Sequence, residues 1–216
     1  MRFVGRNVAR KDSWSKVTGA ARYADDLTVP GMLFGRTIRS SIAHGEVASI
    51  RRAFDANGFV VVDYRDIPGV NVHALIERDQ PMLVERTIRH AEEPILLLAH
   101  EDRGALARAV VEIEYRELPP VLDPLASAHV MKSLRIEKGD PERGLAAADV
   151  VVEGEYRTGH QEHLYIEPHV VIAVPDADGG ITVFGSLQCP YYVHGALTVL
   201  LGLPPDKVRV SQTETG

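Results

Sequence analysis

The chain has 216 residues, of which 45% are apolar and 25% charged, and its formal net charge is −6. This composition is typical of folded globular proteins and argues against disordered, collagen-like and membrane-spanning classes. The acidic balance gives no global attraction for nucleic acid or anionic lipid, and the length suits one medium domain or two small ones.

A single cysteine, Cys189, excludes an internal disulfide and any four-thiolate iron–sulfur or zinc site supplied by this chain alone. The N-terminal residues lack the apolar core of a secretory signal, and no apolar run approaches the roughly 20 residues that cross a bilayer. We therefore expect a cytoplasmic protein in a reducing compartment, with no membrane contact.

The first 120 residues predict a mixture of short strands and helices. Residues 1–12 are basic, have no apolar periodicity and are expected to form an extended arm. Alternation and apolar runs then predict strands at 32–39, 45–50, 59–62, 95–99 and 111–116, and helices at 51–56 and 101–109. Between them, Asp66 to Gly69 is a turn signal.

A second group of elements follows a linker predicted at 127–133. Asp140, Pro141 and Glu142 have the pattern of a helix start, and that helix is expected to end near Asp149. The remaining predictions are a one-sided strand at 150–157, a hairpin of strands at 170–174 and 181–184, a helix at 193–201 and a strand from 208. Without a regular strand–helix alternation or a repeat, the fold class is α/β or α+β.

The densest polar cluster is residues 159–169, which contain three histidines and two glutamates. If this segment were helical, His160 and His163 would share a face and could bind zinc together with Glu167. The β-branched flanks and Pro168 favour an extended segment instead, in which the two histidines point to opposite faces. A loop with hydrogen-bonded histidines is the plain alternative.

Gln161 distinguishes this cluster from an ordinary loop. Its uncharged amide can donate hydrogen bonds to an electron-rich oxo group, which a carboxylate would repel. Elsewhere, Cys189 is expected to be a buried structural thiol. The stretch from Lys16 to Gly19 is expected to be a turn, and Asp25 with Asp26 a solvated acidic pair.

Several segments, read together, resemble the α/β hammerhead domain of the xanthine dehydrogenase and aldehyde oxidase family. They are Lys16 to Asp26, Pro30 to Leu33, Arg39-Ser40, Asp66 to Gly69 and Glu112 to Pro119. His160 to Glu167 resembles the Gly-Gln-Glu-His-Phe-Tyr-Leu-Glu segment of the family's molybdenum-binding domain. The sequence departs from the family's pattern in three places. His160 replaces the usual glycine, Leu164 replaces the usual phenylalanine, and residues 89–94 lack the aromatic residue, valine and glycine commonly found there.

The resemblance implies a molybdopterin hydroxylase, in which water supplies the oxygen placed on an electron-poor carbon. Gln161 would lie beside the molybdenum oxo ligand, with His163, Tyr165 and Glu167 as supporting residues and no protein ligand to the metal. Electrons would leave through 2Fe-2S clusters to FAD, both carried on partner subunits.

We therefore predict an arm and hammerhead domain at 1–126, a linker at 127–133, and the start of a molybdopterin-binding domain at 134–216. The resemblance implies a fragment of a molybdenum hydroxylase acting on a purine, an N-heterocycle or an aldehyde. Because the family's glycine-rich loop, general base and most pterin contacts are expected after Gly216, the chain alone is expected to be inactive and to self-associate. The alternatives are a non-catalytic module that completes a molybdenum enzyme in trans and a small zinc hydrolase.

Overall fold

The computed structural model describes residues 4–73 and 77–215. The chain divides into two compact units, one formed by Met1–Pro120 with Ile166–Gly216 and the other by Val121–Tyr165. We call them the main unit and the 121–165 segment and describe each by itself.

The described residues form nine strands and four α-helices. The strands are β1 Phe34–Arg39, β2 Gly45–Arg52, β3 Val60–Val62, β4 Thr87–Ile88, β5 Pro94–His100, β6 Val111–Glu117, β7 Val171–Pro175, β8 Ile181–Gly185 and β9 Val208–Gln212. The α-helices are α1 Ser13–Val17, α2 Arg103–Arg108, α3 Pro141–Ala146 and α4 Pro190–Leu201, and short 3₁₀ turns lie at Ala24–Asp26, Tyr64–Asp66, Pro124–Ala126 and Pro205–Lys207. The mixed α/β class is confirmed, and no helix in this part of the chain is long and apolar enough to cross a membrane.

The first sheet has the order β1-β5-β3, with antiparallel neighbours, and α2 contacts β1 and β5. The apolar run predicted at 95–99 is its central strand β5. Leu96 and Leu98 are buried in one cluster with Leu106 of α2 and Ala109. Burying these side chains is the main favourable contribution to the stability of this part of the main unit.

The second sheet has the order β4-β2-β6 and corrects one prediction. The helix expected at 51–56 is wrong, because Arg51 and Arg52 continue strand β2. Arg51 lies opposite Glu112 of β6 and forms an ion pair with it, and Arg52 lies opposite Val111. Cross-strand pairing therefore overrides the local helical pattern.

The third sheet, β7-β8-β9, contains the predicted hairpin. Strands β7 and β8 are antiparallel and joined by Asp176 to Gly180, while β8 and β9 are parallel and joined through α4. Helix α4 begins at Pro190, three residues before the predicted apolar face, and ends at Leu201. The next residue, Gly202, has a φ of 63°, the left-handed conformation that glycine favours.

The 121–165 segment contains little regular structure. Helix α3 begins as predicted, with the Asp140 carboxylate accepting a hydrogen bond from the Arg143 N–H at 3.0 Å, but it ends at Ala146 rather than near Asp149. The strand predicted at 150–157 is absent, and Val152 and Tyr156 are 86% and 91% exposed. An alternating sequence needs a neighbouring strand for its backbone hydrogen bonds, and 150–157 has no strand partner.

Candidate functional site

Gln161 lies in a stretch with neither helix nor strand and is exposed. His163 is exposed in the same stretch, and Leu164 has a positive φ of 48°, which interrupts any extended alternation there. Tyr165 ends the 121–165 segment, whereas Glu167 belongs to the main unit and is half-buried. Both Tyr165 and Glu167 interact with neighbouring groups.

The zinc arrangement depends on a helix that the structure does not contain. His160 and His163 lie in irregular backbone, so they do not share a helical face with Glu167. Across residues 4–73 and 77–215, no group of three or more histidine, cysteine, aspartate or glutamate side chains could hold a metal ion. The geometry proposed for the zinc hydrolase is therefore wrong.

A molybdopterin cofactor would need both hydrogen-bond donors and an enclosing cavity. The amide of Gln161 has the right chemistry, since it can donate to an anionic, oxygen-rich group. However, every residue of the 121–165 segment is exposed, so the segment does not enclose a ligand. The residues around Gln161 therefore do not by themselves fit the cofactor.

The main unit contains a cleft of about 580 Å³ between His73 and Met82 on one side and the third sheet with α4 on the other. Its walls are largely apolar, and a few polar groups enter it, as in many small-molecule sites. The polar and sulfur-containing residues that line it are His73, Met82, His169, Ser186, Gln188, Cys189 and Tyr192. Cys189 is exposed at the start of α4, so its predicted burial is wrong.

The turn at Asp66 to Gly69 has a role that sequence analysis missed. The backbone N–H groups of Gly69 and Val70 donate to the carbonyl oxygens of Leu200 and Val199 at 2.9 and 3.0 Å. They thereby satisfy carbonyls in the last turn of α4 that have no partner within the helix. A Cβ on Gly69 would lie 2.1 Å from the Val199 carbonyl oxygen, so only glycine fits. The one sequence feature that could have indicated this contact is the glycine at position 69 of the turn motif.

Lys16 makes a second contact between distant parts of the main unit. It lies in the last turn of α1 rather than in the predicted turn, and its Nζ donates to the carbonyl oxygen of Thr215 at 2.5 Å. The Asp12 carboxylate is 3.1 Å from the same Nζ. Hydrogen bonds from Arg10 and Lys16 lower the pKa of Asp12 to about 2, so this carboxylate is ionised at neutral pH.

Two family models match consecutive parts of the chain. The aldehyde oxidase and xanthine dehydrogenase a/b hammerhead domain matches residues 18–119, and the molybdopterin cofactor-binding domain matches residues 123–216. These matches define the chain as a hammerhead domain of the aldehyde oxidase and xanthine dehydrogenase type followed by a molybdopterin cofactor-binding domain. The finer boundaries at 126 and 133 remain predictions.

Curated relatives match nearly the whole chain. The nicotinate dehydrogenase large molybdopterin subunit of Eubacterium barkeri is 33% identical over 99% of this chain and 54% of its own length. The xanthine dehydrogenase molybdenum-binding subunit of Escherichia coli is 30% identical over 96% of this chain and 31% of its own length. The chain belongs to the xanthine dehydrogenase and aldehyde oxidase family and spans about a third to a half of these relatives.

Solved structures agree on the fold. The aldehyde oxidoreductase from Desulfovibrio desulfuricans superposes with a TM-score of 0.81 at 21% identity, covering 98% of this chain and 27% of that one. The hammerhead fold expected from the resemblance is thus confirmed.

Proposed function

We propose that the chain forms part of the molybdenum subunit of a xanthine-dehydrogenase-like hydroxylase. The observation that carries this proposal is the order of the two domain matches, which together run from residue 18 to residue 216. In such an enzyme the molybdenum cofactor, when bound, supplies the oxidation chemistry. This chain contributes the hammerhead scaffold and one amide toward that site.

The proposed role of Gln161 is to donate a hydrogen bond to an oxygen of the cofactor. Its exposure leaves the amide accessible to such an oxygen, and the cavity that encloses the cofactor would have to be completed by other polypeptide. His163, Tyr165 and Glu167 are proposed as supporting residues that fix the local path of the chain. No direct protein ligand to molybdenum is proposed.

The substrate class we propose is an electron-poor N-heterocycle or purine, with an aldehyde as the alternative. The curated relatives named above are dehydrogenases of nicotinate and xanthine, both nitrogen heterocycles. The proposed partners are the remainder of the molybdenum domain, an iron–sulfur subunit with 2Fe-2S clusters and an FAD subunit. We propose that the assembly works in the reducing cytoplasm.

We further propose that this chain is inactive alone and holds no cofactor stably. The exposed apolar side chains of the 121–165 segment would be covered by partner polypeptide in the assembly, and the isolated chain would self-associate through them. The related possibility, a non-catalytic module that completes the enzyme in trans, also predicts activity with a partner, but in that case Gln161 makes no contribution to turnover.

Metal analysis tests the proposal. The chain is purified alone and after co-expression with a polypeptide that contains the rest of a molybdenum-binding subunit of this family, and molybdenum, zinc and particle size are measured. We expect less than about a tenth of an equivalent of molybdenum, no zinc and large particles alone, and molybdenum with heterocycle oxidation only in the complex. In that complex Gln161→Ala should lower turnover about 100-fold, in the range of losing one positioned donor, while His129→Ala serves as control. Stoichiometric molybdenum and turnover in the isolated chain would contradict the proposal.

A further inference from the structure

The N-terminal helix α1 contacts the point where the chain leaves the third sheet. Lys16 of α1 donates to the Thr215 carbonyl oxygen, 199 residues further along the chain. The Glu214 carboxylate lies 3.9 Å from the same Nζ. The Lys16 side chain is only 21% exposed, so it is held against the main unit rather than extended into solvent.

Glu214 and Thr215 need such a contact because they make no backbone hydrogen bond with the described residues of the third sheet. The last backbone hydrogen bond of β9 with its neighbour is from Thr213 N–H to the Gly185 carbonyl oxygen, at 3.0 Å. Glu214 and Thr215 lie beyond the end of β9. A peptide continuing past a strand end has many accessible directions unless a side chain fixes it.

The lysine is itself oriented before it meets this peptide. Asp12 lies one helical turn earlier, with its carboxylate 3.1 Å from Nζ, and the Arg10 guanidinium hydrogen-bonds to that carboxylate at 2.7 and 3.0 Å. A charged donor held in this way forms a stronger bond to a carbonyl oxygen than a freely moving surface lysine does. Lys11, in contrast, is exposed.

We propose that Lys16 is a positioning residue, which fixes the direction in which the chain leaves β9. A consequence of this contact for activity would rest on the proposed function. We call the contact of Lys16 with Glu214 and Thr215 the clamp. It does not depend on the proposed function, since all of its atoms belong to this chain.

Hydrogen exchange on the full chain tests the clamp without any cofactor. In Lys16→Met the Thr213 amide, which is hydrogen-bonded to the Gly185 carbonyl oxygen, should exchange several-fold to about tenfold faster than in the unmodified chain, while the Leu98 amide in β5 keeps its rate. Lys16→Arg should restore most of the protection, because its guanidinium can donate to the same carbonyl. Lys11→Met, the matched control, should leave every rate unchanged.

Chemical labelling of the unmodified chain gives a second test that needs no variant. Acetic anhydride should modify Lys16 several-fold more slowly than Lys11, because the Lys16 amine is partly buried and hydrogen-bonded. Equal labelling rates, or an exchange increase in Lys16→Met that is as large at Leu98 as at Thr213, would overturn the positioning role. Neither result depends on molybdenum content, so failure of the clamp and failure of the proposed function can be told apart.

Discussion

The main unit and the 121–165 segment are both rich in apolar residues but use them differently. In the main unit, Ile88 and Leu98 are fully buried between strands and α2 or neighbouring loops. In the segment, Leu125 and Ile136 are 93% and 96% exposed. The comparison shows that apolar content produces a core only where neighbouring elements supply backbone partners as well as apolar contacts.

Truncating one leucine in each region gives the largest difference we expect. Leu98→Ala should lower the free energy of unfolding by about 3 kcal/mol, because a fully buried leucine leaves a cavity. Leu125→Ala removes the same atoms from an exposed position and should change it by less than about 0.5 kcal/mol. Urea denaturation measures both. Equal losses would show that the 121–165 segment is packed in solution.

The contact between Gly69 and α4 should give the next largest effect. Gly69→Ala should cost about 2 kcal/mol, because its Cβ would overlap the Val199 carbonyl oxygen and weaken both capping hydrogen bonds. Gly195→Ala lies within α4 with no atom near the new Cβ and should stabilise by up to about 1 kcal/mol through helix propensity. The urea midpoints of the two variants should therefore move in opposite directions. A Gly69→Ala midpoint at or above that of the unmodified chain would contradict the steric argument.

The elements predicted well from the sequence are those in which the local hydrophobic pattern fits the neighbouring strands in the fold. The run at 95–99 became β5, and the alternation at 111–116 became β6. Residues 51–52 were misassigned because their helix-like pattern is local, whereas their pairing with β6 joins residues about 60 positions apart. Residues 150–157 show the converse case, since their sequence alternates but none of the described strands forms a ladder with them.

The candidate site was predictable as a motif but not as a geometry. Gln161 could be predicted because its amide chemistry and the surrounding motif both indicate a contact with an oxo group. Its exposure depends on tertiary packing, which no local sequence pattern encodes. Lys16 and Gly69 were noticed only as parts of motifs, because their partners, Thr215 and the end of α4, are more than 100 residues away. Long-range backbone contacts of this kind leave no periodic signal.

The smallest effect we expect concerns the pH dependence of stability. Hydrogen bonds from Arg116 and then Arg86, at 2.5 and 2.8 Å, lower the pKa of the Glu46 carboxyl below its usual value. A carboxyl whose pKa is lower in the folded than in the unfolded chain stabilises the fold above its usual pKa and loses that contribution as pH falls through the lowered value.

Glu46→Gln tests this dependence. Below pH about 4.5, the usual glutamate pKa, the stability of the unmodified chain should fall more steeply than that of Glu46→Gln. Glu155→Gln in the 121–165 segment is the control, because the ion pair of Glu155 with Arg157 is exposed on both sides and contributes little. Urea denaturation between pH 3 and pH 7 gives the three curves. Parallel curves for Glu46→Gln and the unmodified chain would mean that the ion pairs of Glu46 with Arg86 and Arg116 do not stabilise the main unit.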